Sequence, residues 1–222
     1  MGANGSTLNV NGGYLINDGN AYGGNYAVSL SPASGTITAA PLTVSATGQN
    51  KIYDGTPATT VTLSDNRIVG DVLTLAYVGA AFADKNVGTA KSVTASGIGI
   101  TGLDAGNYTF NTTAATSADV TARALSVTAA GVNKVYDGLT SANVTYTDNR
   151  VAGDVLAPSG SAFYIDKNVG VAKTVDVSGI TLTGTDASNY SVNTTAATSA
   201  NITARPLSTW IGGASGNWSV AS

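Results

Sequence analysis

The chain contains no cysteine, no histidine and no glutamate, and only 10% of its 222 residues are charged. Without cysteine and histidine it cannot form disulfide bonds, thiolate or imidazole metal sites, or a Ser-His-Asp or Cys-His catalytic group. The formal net charge of −3 gives no basic surface for nucleic acid. Aspartate pairs alone could in principle hydrolyse glycosides, but neither repeat places two aspartates in a context that differs from a turn, so we expect the protein not to be an enzyme.

Residues that favour exposed helices are also scarce, whereas Thr, Val, Ile and Tyr, which favour strands, are common. Short runs of alternating apolar and polar residues are bounded by Gly, Asn, Asp or Ser, which is typical of β-strands. We therefore expect an all-β protein of small sandwich-like modules, either immunoglobulin-like or β-grasp-like. In the first half of the chain the runs are 42–46, 60–63, 72–77, 92–95, 98–100, 108–110 and 119–121.

Every cation in the chain occurs twice. Five of them recur 82 or 83 residues later in the same order, namely Lys51, Arg67, Lys85, Lys91 and Arg123 as Lys134, Arg150, Lys167, Lys173 and Arg205. This period is long enough for a small domain. We predict the C-terminal part of an upstream module at 1–41, complete modules at 42–123 and 124–206, and the start of a further module at 207–222.

The junction between the two modules contains no flexible linker. Residues 118–129 run without glycine and alternate with a period of two, so we expect an extended connection. Modules joined in this way would be arranged end to end as an elongated rod.

The large residues predict where each core lies, because a module of this size buries only about 60% of its unfolded surface. In the first module we expect a core of Tyr53, Leu63, Val72, Leu73, Leu75, Phe82, Val93, Ile98, Ile100, Tyr108, Phe110 and Val120. Their counterparts would form the second core.

Five motifs occur twice in the same order: K-[IV]-Y-D-G, D-N-R-x-x-G-D, D-K-N-V-G-x-x-K, D-A-x-N-Y and T-A-R-x-L. Together they resemble the YDG domains of large secreted bacterial proteins, among them filamentous-haemagglutinin-like adhesins exported by two-partner secretion. The resemblance covers residues 42 to about 207. It implies an extracellular location on the bacterial surface, or secretion, and a role in adhesion or biofilm cohesion. The sequence shows no signal peptide or membrane span, so any export signal is expected upstream in a longer protein.

Two functions remain open at this point. The first is a structural stalk or spacer that projects a distal binding region from the cell surface. The second is direct binding of a carbohydrate, either a host glycan or an exopolysaccharide, by the modules themselves. For both we expect no membrane insertion, no nucleic-acid partner and a monomeric chain.

The Tyr-Asp-Gly motif carries the glycan hypothesis, because an aromatic ring beside a carboxylate suits a sugar. The residues concerned are Tyr53 and Asp54, with Tyr136 and Asp137. The alternative is a strand that ends in a tight turn, with the ring over the core and glycine supplying a positive φ.

Two further sites are conceivable. Calcium, the one possible cofactor, could bind oxygen atoms of Asp65, Asn66 and Asp71, or of Asp148, Asn149 and Asp154, although the spacing lacks the usual calcium-loop pattern. The alternative is a turn in which aspartate pairs with arginine.

An isopeptide cross-link could join Lys51 to Asn107 beside Asp71, and Lys134 to Asn189 beside Asp154, if burial made the lysine neutral. The loss of ammonia or water from the intact mass would reveal such a bond.

Overall fold

The computed structural model describes residues 5–8 and 33–206 of the chain. These residues form a nearly all-β structure with curled, barrel-like sheets, which confirms the predicted class. Within the described ranges there is no α-helix, and hence none long and apolar enough to cross a membrane. Most of the predicted upstream fragment and all of 207–222, with Trp210 and Trp218, lie outside the described residues.

Strands in the first half of the chain are short. They are β1 (Gly5–Leu8), β2 (Ala33–Thr36), β3 (Ala40–Leu42), β4 (Val44–Gly48), β5 (Lys51–Ile52), β6 (Ala58–Thr59), β7 (Val61–Asp65), β8 (Thr74–Ala76), β9 (Gly79–Phe82), β10 (Gly88–Ser96), β11 (Gly99–Thr101), β12 (Tyr108–Phe110) and β13 (Thr113–Thr121).

Strands in the second half follow the same order, and the longest of them, Gly170–Thr183, has 14 residues. They are β14 (Arg123–Leu125), β15 (Val127–Val132), β16 (Lys134–Val135), β17 (Asn143–Asp148), β18 (Ala157–Tyr164), β19 (Gly170–Thr183), β20 (Tyr190–Val192) and β21 (Thr195–Thr203). The junction is extended as expected, because β13, β14 and β15 follow one another with single-residue breaks at Ala122 and Ser126.

Strand pairing repeats with the sequence. The parallel pairs β3–β12 and β5–β13 recur as β14–β20 and β16–β21, and the antiparallel pair β4–β7 recurs as β15–β17. Two further antiparallel pairs are β1–β2 and β8–β11. The β5–β13 pair belongs to a five-stranded sheet in the order β5-β13-β10-β9-β6, and the β16–β21 pair belongs to a four-stranded sheet in the order β16-β21-β19-β18.

The second repeat is one residue shorter than the first between Asp71 and Lys85, and this difference falls at an irregular strand. In the first repeat, Tyr77 and Val78 separate β8 from β9. In the second, one edge strand, β18, spans the same stretch and absorbs the irregularity as a shift of register between Ser159 and Ser161. The shift lies at the start of the strand, ahead of the bridge between Ser141 and Phe163 that pairs the other side of β18. An edge strand tolerates such a bulge where only one of its sides is paired.

The chain folds into two compact units. One contains Thr60–Ala80, Thr94–Thr116 and the described part of Met1–Gly48. The other contains Gln49–Thr59, Ala81–Val93 and the described part of Ser117–Ser222. The second unit therefore holds segments of the first sequence repeat together with the second repeat.

The observed core includes most of the predicted residues. Tyr53, Leu73, Phe82, Val93, Ile98, Tyr108 and Val120 are buried, as are Leu42, Val44 and Val61, which were not on the predicted list. Leu63, Leu75, Ile100 and Phe110 are half-buried.

The prediction for Val72 was wrong, since its side chain is 55% exposed. Successive residues of an extended chain point to opposite sides, and Leu73 takes the inner position. In the second repeat Tyr164 is the buried counterpart of Phe82, and its neighbour Phe163 is exposed.

Candidate functional site

The Tyr-Asp-Gly motif forms a loop that a lysine closes. The Nζ atom of Lys51 donates to Asp54 Oδ1 at 2.8 Å and to the carbonyl oxygens of Thr56 and Ala58 at 2.6 and 2.8 Å. The same Asp54 oxygen accepts the Thr56 N–H at 2.9 Å, and Gly55 has a φ of +82°. The motif is thus a turn whose lysine, aspartate and glycine each have a structural role.

This loop aims the Tyr53 ring into the second compact unit. The backbone N–H of Tyr53 donates to the Thr121 oxygen at 2.9 Å, which extends the parallel pairing of β5 with β13. The ring is 0% exposed and lies edge-on to the Tyr190 ring, with centroids 5.5 Å apart. Because Tyr190 belongs to the second repeat, Tyr53 joins the two repeats within one unit.

The D-N-R-x-x-G-D motif positions the carboxylate that both tyrosines contact. Arg150 donates to both oxygens of Asp148, at 2.8 and 2.5 Å, and from Nη1 to the Leu156 carbonyl at 2.5 Å. These bonds hold the intervening loop, in which the Asp154 N–H donates to the Val151 oxygen at 3.1 Å. Asp154 therefore occupies a fixed and buried position.

The D-A-x-N-Y motif supplies the other side of the site. A 3₁₀ turn over Ala187–Asn189 places Asp186 at its N-terminal side and Tyr190 at its C-terminal side. The Asp186 Oδ2 atom accepts the Val155 N–H at 2.9 Å, which ties this turn to the loop that carries Asp154.

Asp154 accepts three hydrogen bonds from side chains. The hydroxyl of Tyr190 donates to Oδ2 at 2.6 Å, and the hydroxyl of Tyr53 lies 2.8 Å from Oδ2 and 3.0 Å from Oδ1. The Nζ atom of Lys85 donates to Oδ1 at 2.9 Å. Two of the three donors come from the first repeat, so a single buried carboxylate of the second repeat holds both.

Lys85 completes the charge balance. Its Nζ atom lies 2.9 Å from Asp154, 2.8 Å from Asp186 and 5.7 Å from the centroid of the Tyr53 ring. One ammonium group thus faces two carboxylates, and the side chain retains 34% exposure. We call Tyr53, Lys85, Asp154, Asp186 and Tyr190 the inter-repeat cluster.

A second set of contacts flanks the inter-repeat cluster. Asn189 is 1% exposed; its Oδ1 atom accepts the Val87 N–H at 2.9 Å and its Nδ2 atom donates to Asn86 at 3.1 Å. A Cβ atom placed on Gly55 would lie 2.7 Å from a methyl group of Val151. The absence of a side chain at Gly55 therefore allows the two repeats to approach closely.

The pKa values follow from this geometry. Burial, the largest influence on Asp154, raises its pKa, but the hydrogen bonds from Tyr190, Lys85 and Tyr53 together hold it below the ordinary value. The hydrogen bond from Lys85, followed by the Val155 N–H, lowers the pKa of Asp186. Hydrogen bonds to Asp186 and then Asp154 raise the pKa of Lys85. Burial and then Asp154 raise the pKa of Tyr190 to about 12.

We expect the inter-repeat cluster to be most stable between about pH 4 and pH 10. The pKa values of Asp154 and Asp186 are lower in the folded chain than the unfolded value of about 3.9. These carboxylates therefore contribute stability above about pH 4, and that stability is lost as pH falls through their folded pKa values. The raised pKa values of Lys85, Tyr53 and Tyr190 contribute stability below about pH 10, and this stability is lost as pH rises through the folded values. Urea unfolding across pH measures both limits.

Lys85→Met should reduce the alkaline loss of stability, because one of the three groups with a raised pKa is removed. Lys167→Met is the matched control, since Lys167 is the exposed counterpart of Lys85. Equal alkaline profiles for the two variants would contradict the assignment of the shifted pKa to Lys85.

The residues of the glycan hypothesis lie in two environments. Tyr53 is fully buried, and in this conformation its ring cannot stack on a sugar. Tyr136 is half-buried, and the exposed carboxylate of Asp137 accepts a hydrogen bond from Lys134 at 2.9 Å. Glycan binding at the second motif stays a prediction.

The residues of the calcium hypothesis are engaged in hydrogen bonds to several elements. Asp65 pairs with Arg67, whose hydrogen bonds lower the aspartate pKa, Asn66 accepts the Thr43 N–H at 2.7 Å, and Asp71 accepts the Tyr108 hydroxyl. Asp148, Asn149 and Asp154 repeat this arrangement. Among residues 5–8 and 33–206, no group of three or more acidic, histidine or cysteine side chains could hold a metal.

The isopeptide residues of the second repeat have separate partners. Lys134 donates to Asp137 and to the carbonyl oxygens of Leu139 and Ser141 at 2.7 and 3.0 Å. Asn189 and Asp154 instead contact first-repeat residues, as described above. In the first repeat, Lys51 closes its own loop and Asp71 accepts a hydrogen bond from Tyr108. The isopeptide bond stays a prediction that intact mass tests.

Sequence reasoning missed the partners of Lys85. The Asp84-Lys85-Asn86 segment forms a polar turn, in which Asp84 accepts the Asn86 N–H at 2.7 Å. Nothing local in such a turn indicates a distant partner, but Lys85 pairs with Asp154 and Asp186, which lie 69 and 101 positions away. The exact duplication of each motif is the only signal that could have suggested contact between copies.

The chain belongs to the YDG domain family, whose model matches residues 38–116 and 121–200. The two matches cover most of the chain and correspond to the two sequence repeats. No curated protein and no solved structure matches the chain.

Proposed function

We propose that the chain is a structural spacer of a large secreted bacterial adhesin. In this role the YDG modules follow one another as an elongated rod and project a distal binding region from the cell surface, in support of adhesion or biofilm cohesion. The observation that carries the proposal is the inter-repeat cluster, because it fixes parts of the first repeat to the second.

Two further features support this role. The junction is extended from β13 through β15, so consecutive repeats share a connection with few freely rotating residues. Each repeat also carries the same motifs, and duplication of a whole domain increases reach. The resemblance to secreted adhesins supports a location outside the cell.

The mechanical role of the inter-repeat cluster follows from its chemistry. Bending at the junction would separate Lys85 from two carboxylates and leave the Tyr53 hydroxyl without an acceptor. A buried polar group that loses its partner costs about 1–3 kcal/mol, and a charged one costs more. Several such costs acting together would keep the junction stiff, whereas domains without such contacts move by default.

Pulsed electron-electron spin resonance tests the stiffness that this function needs. Because the chain lacks cysteine, Ile52→Cys in the first repeat and Val171→Cys in the second, at positions 64% and 82% exposed within the second compact unit, would carry the only two spin labels. We expect a narrow distance distribution that broadens when Asp154→Ala is added. A broad distribution in the chain that retains Asp154 would overturn the proposal.

A further inference from the structure

In the contacts that the inter-repeat cluster makes between the repeats, the first repeat supplies the donors and the second repeat supplies the acceptors. The sequence of each repeat also contains the other set of residues, which takes no part in that cluster. In the first repeat, Asp71, Asp104, Asn107 and Tyr108 correspond to Asp154, Asp186, Asn189 and Tyr190. With Ile68, which corresponds to Val151, we call them the acceptor face. In the second repeat, Tyr136, Gly138, Lys167 and Asn168 correspond to Tyr53, Gly55, Lys85 and Asn86. We call these four the donor face.

The acceptor face already has the geometry of its occupied counterpart. The Tyr108 hydroxyl donates to Asp71 and accepts the Ile68 N–H at 3.0 Å, as the Tyr190 hydroxyl donates to Asp154 and accepts the Val151 N–H at 2.8 Å. The Val72 N–H donates to Asp104 at 2.8 Å, as the Val155 N–H does to Asp186.

The two faces differ from their occupied counterparts in exposure. Asn107 is exposed whereas Asn189 is 1% exposed. Two apolar residues within this part of the first repeat, Ile68 and Leu103, are 62% and 90% exposed. On the donor face, Tyr136 is half-buried whereas Tyr53 is 0% exposed, and a Cβ atom on Gly138 would meet nothing within 4 Å.

We propose that the acceptor face of one chain binds the donor face of a second copy of the chain, head to tail. The ammonium of Lys167 would face the carboxylates of Asp71 and Asp104, and Gly138 would admit Ile68, as Gly55 admits Val151. This contact is the one that the chain already makes internally, with the same residue types in every polar position. Under this proposal the chain is not the monomer that the sequence analysis expects. A head-to-tail contact leaves one donor face and one acceptor face free at the two ends, so chains would assemble into open oligomers whose length increases with concentration.

Disulfide trapping tests the proposal, and the internal contact supplies the geometry. A Cβ atom on Gly55 would lie 3.7 Å from the Val151 Cβ atom, a separation that suits a disulfide. A chain with Gly55→Cys and Val151→Cys is therefore expected to form an internal disulfide and serves as the positive control. The test itself mixes a Gly138→Cys chain with an isotope-labelled Ile68→Cys chain under mild oxidation, and mass spectrometry counts mixed dimers.

Mixed dimers are expected to form at least about tenfold faster than in a control mixture of Gly138→Cys with Val78→Cys, because docking aligns the two thiols. Adding Lys167→Glu to the Gly138→Cys chain should return the rate to the control value. Equal rates in test and control mixtures would overturn the proposal, and so would failure of the internal disulfide to close.

Sedimentation velocity of the unaltered chain gives a second readout that needs no substitution at Gly138. The average sedimentation coefficient is expected to rise as the protein concentration increases to about 1 mM. Two sites joined by a short linker experience an effective concentration in this range. The Lys167→Glu chain should show no such rise. A constant value for the unaltered chain across that range would overturn head-to-tail binding, while leaving the stiffness test of the spacer role unaffected.

Discussion

Replacing Asp154 by alanine is expected to lower the free energy of unfolding by about 2–5 kcal/mol, because two buried hydroxyls lose their acceptor at about 1–3 kcal/mol each. The substitution leaves the hydroxyls of Tyr53 and Tyr190 without their acceptor and removes one of the two carboxylates that face Lys85. Urea denaturation followed by circular dichroism measures the effect.

Asp71→Ala is the matched control, because Asp71 is the counterpart of Asp154 in the first repeat. Asp71 is only half-buried and accepts the hydroxyl of Tyr108, so its loss should cost about 1 kcal/mol. Asp154→Asn should fall between the two, since the amide oxygen can still accept a hydroxyl but carries no charge for Lys85. Similar losses for Asp154→Ala and Asp71→Ala would mean that the inter-repeat cluster adds no stability.

Tyr53→Ala is expected to cost about 3–5 kcal/mol, as for other large aromatic side chains removed from a core. The ring is 0% exposed, packs on Tyr190 and lies beside the Lys85 ammonium. Tyr53→Phe keeps the ring and removes only the hydroxyl, so it should cost about 1–2 kcal/mol.

The second repeat again provides the control. Tyr136→Ala removes a ring that is half-buried, and in dilute solution its cost should stay below about 2 kcal/mol because less surface is involved. The free energy of unfolding of each variant, from urea titration at neutral pH, decides the comparison. Equal losses for Tyr53→Ala and Tyr136→Ala would contradict the assignment of Tyr53 to a contact between repeats.

Much of the fold could be predicted from the sequence because the relevant forces are local. Alternation of apolar and polar residues indicated the strands, and the Asp-Gly pair indicated the turn after Tyr53, where Gly55 has the positive φ. Val72 shows where this reasoning stops. Two adjacent apolar residues cannot both point inward from an extended chain, and the sequence did not say that Leu73 would do so.

The inter-repeat cluster could not be predicted because its partners are far apart in the chain. Tyr53 and Asp154 are 101 positions apart, and each has an identical counterpart in the other repeat. Sequence alone suggested pairings within one repeat, such as Lys134 with Asn189, since nothing in a duplicated motif marks which copy it contacts. The structure pairs first-repeat tyrosine and lysine with second-repeat aspartates.

The coupling energy between Tyr53 and Asp154 tests the central claim most directly, because it isolates one interaction between the repeats. A double-mutant cycle with Tyr53→Phe and Asp154→Ala, each of which removes one partner of the hydrogen bond, requires the free energy of unfolding of four chains. We predict a coupling of at least about 1 kcal/mol, within the range for residues in direct contact. Additive effects of the two substitutions, with a coupling near zero, would contradict the claim that this cluster holds the repeats together.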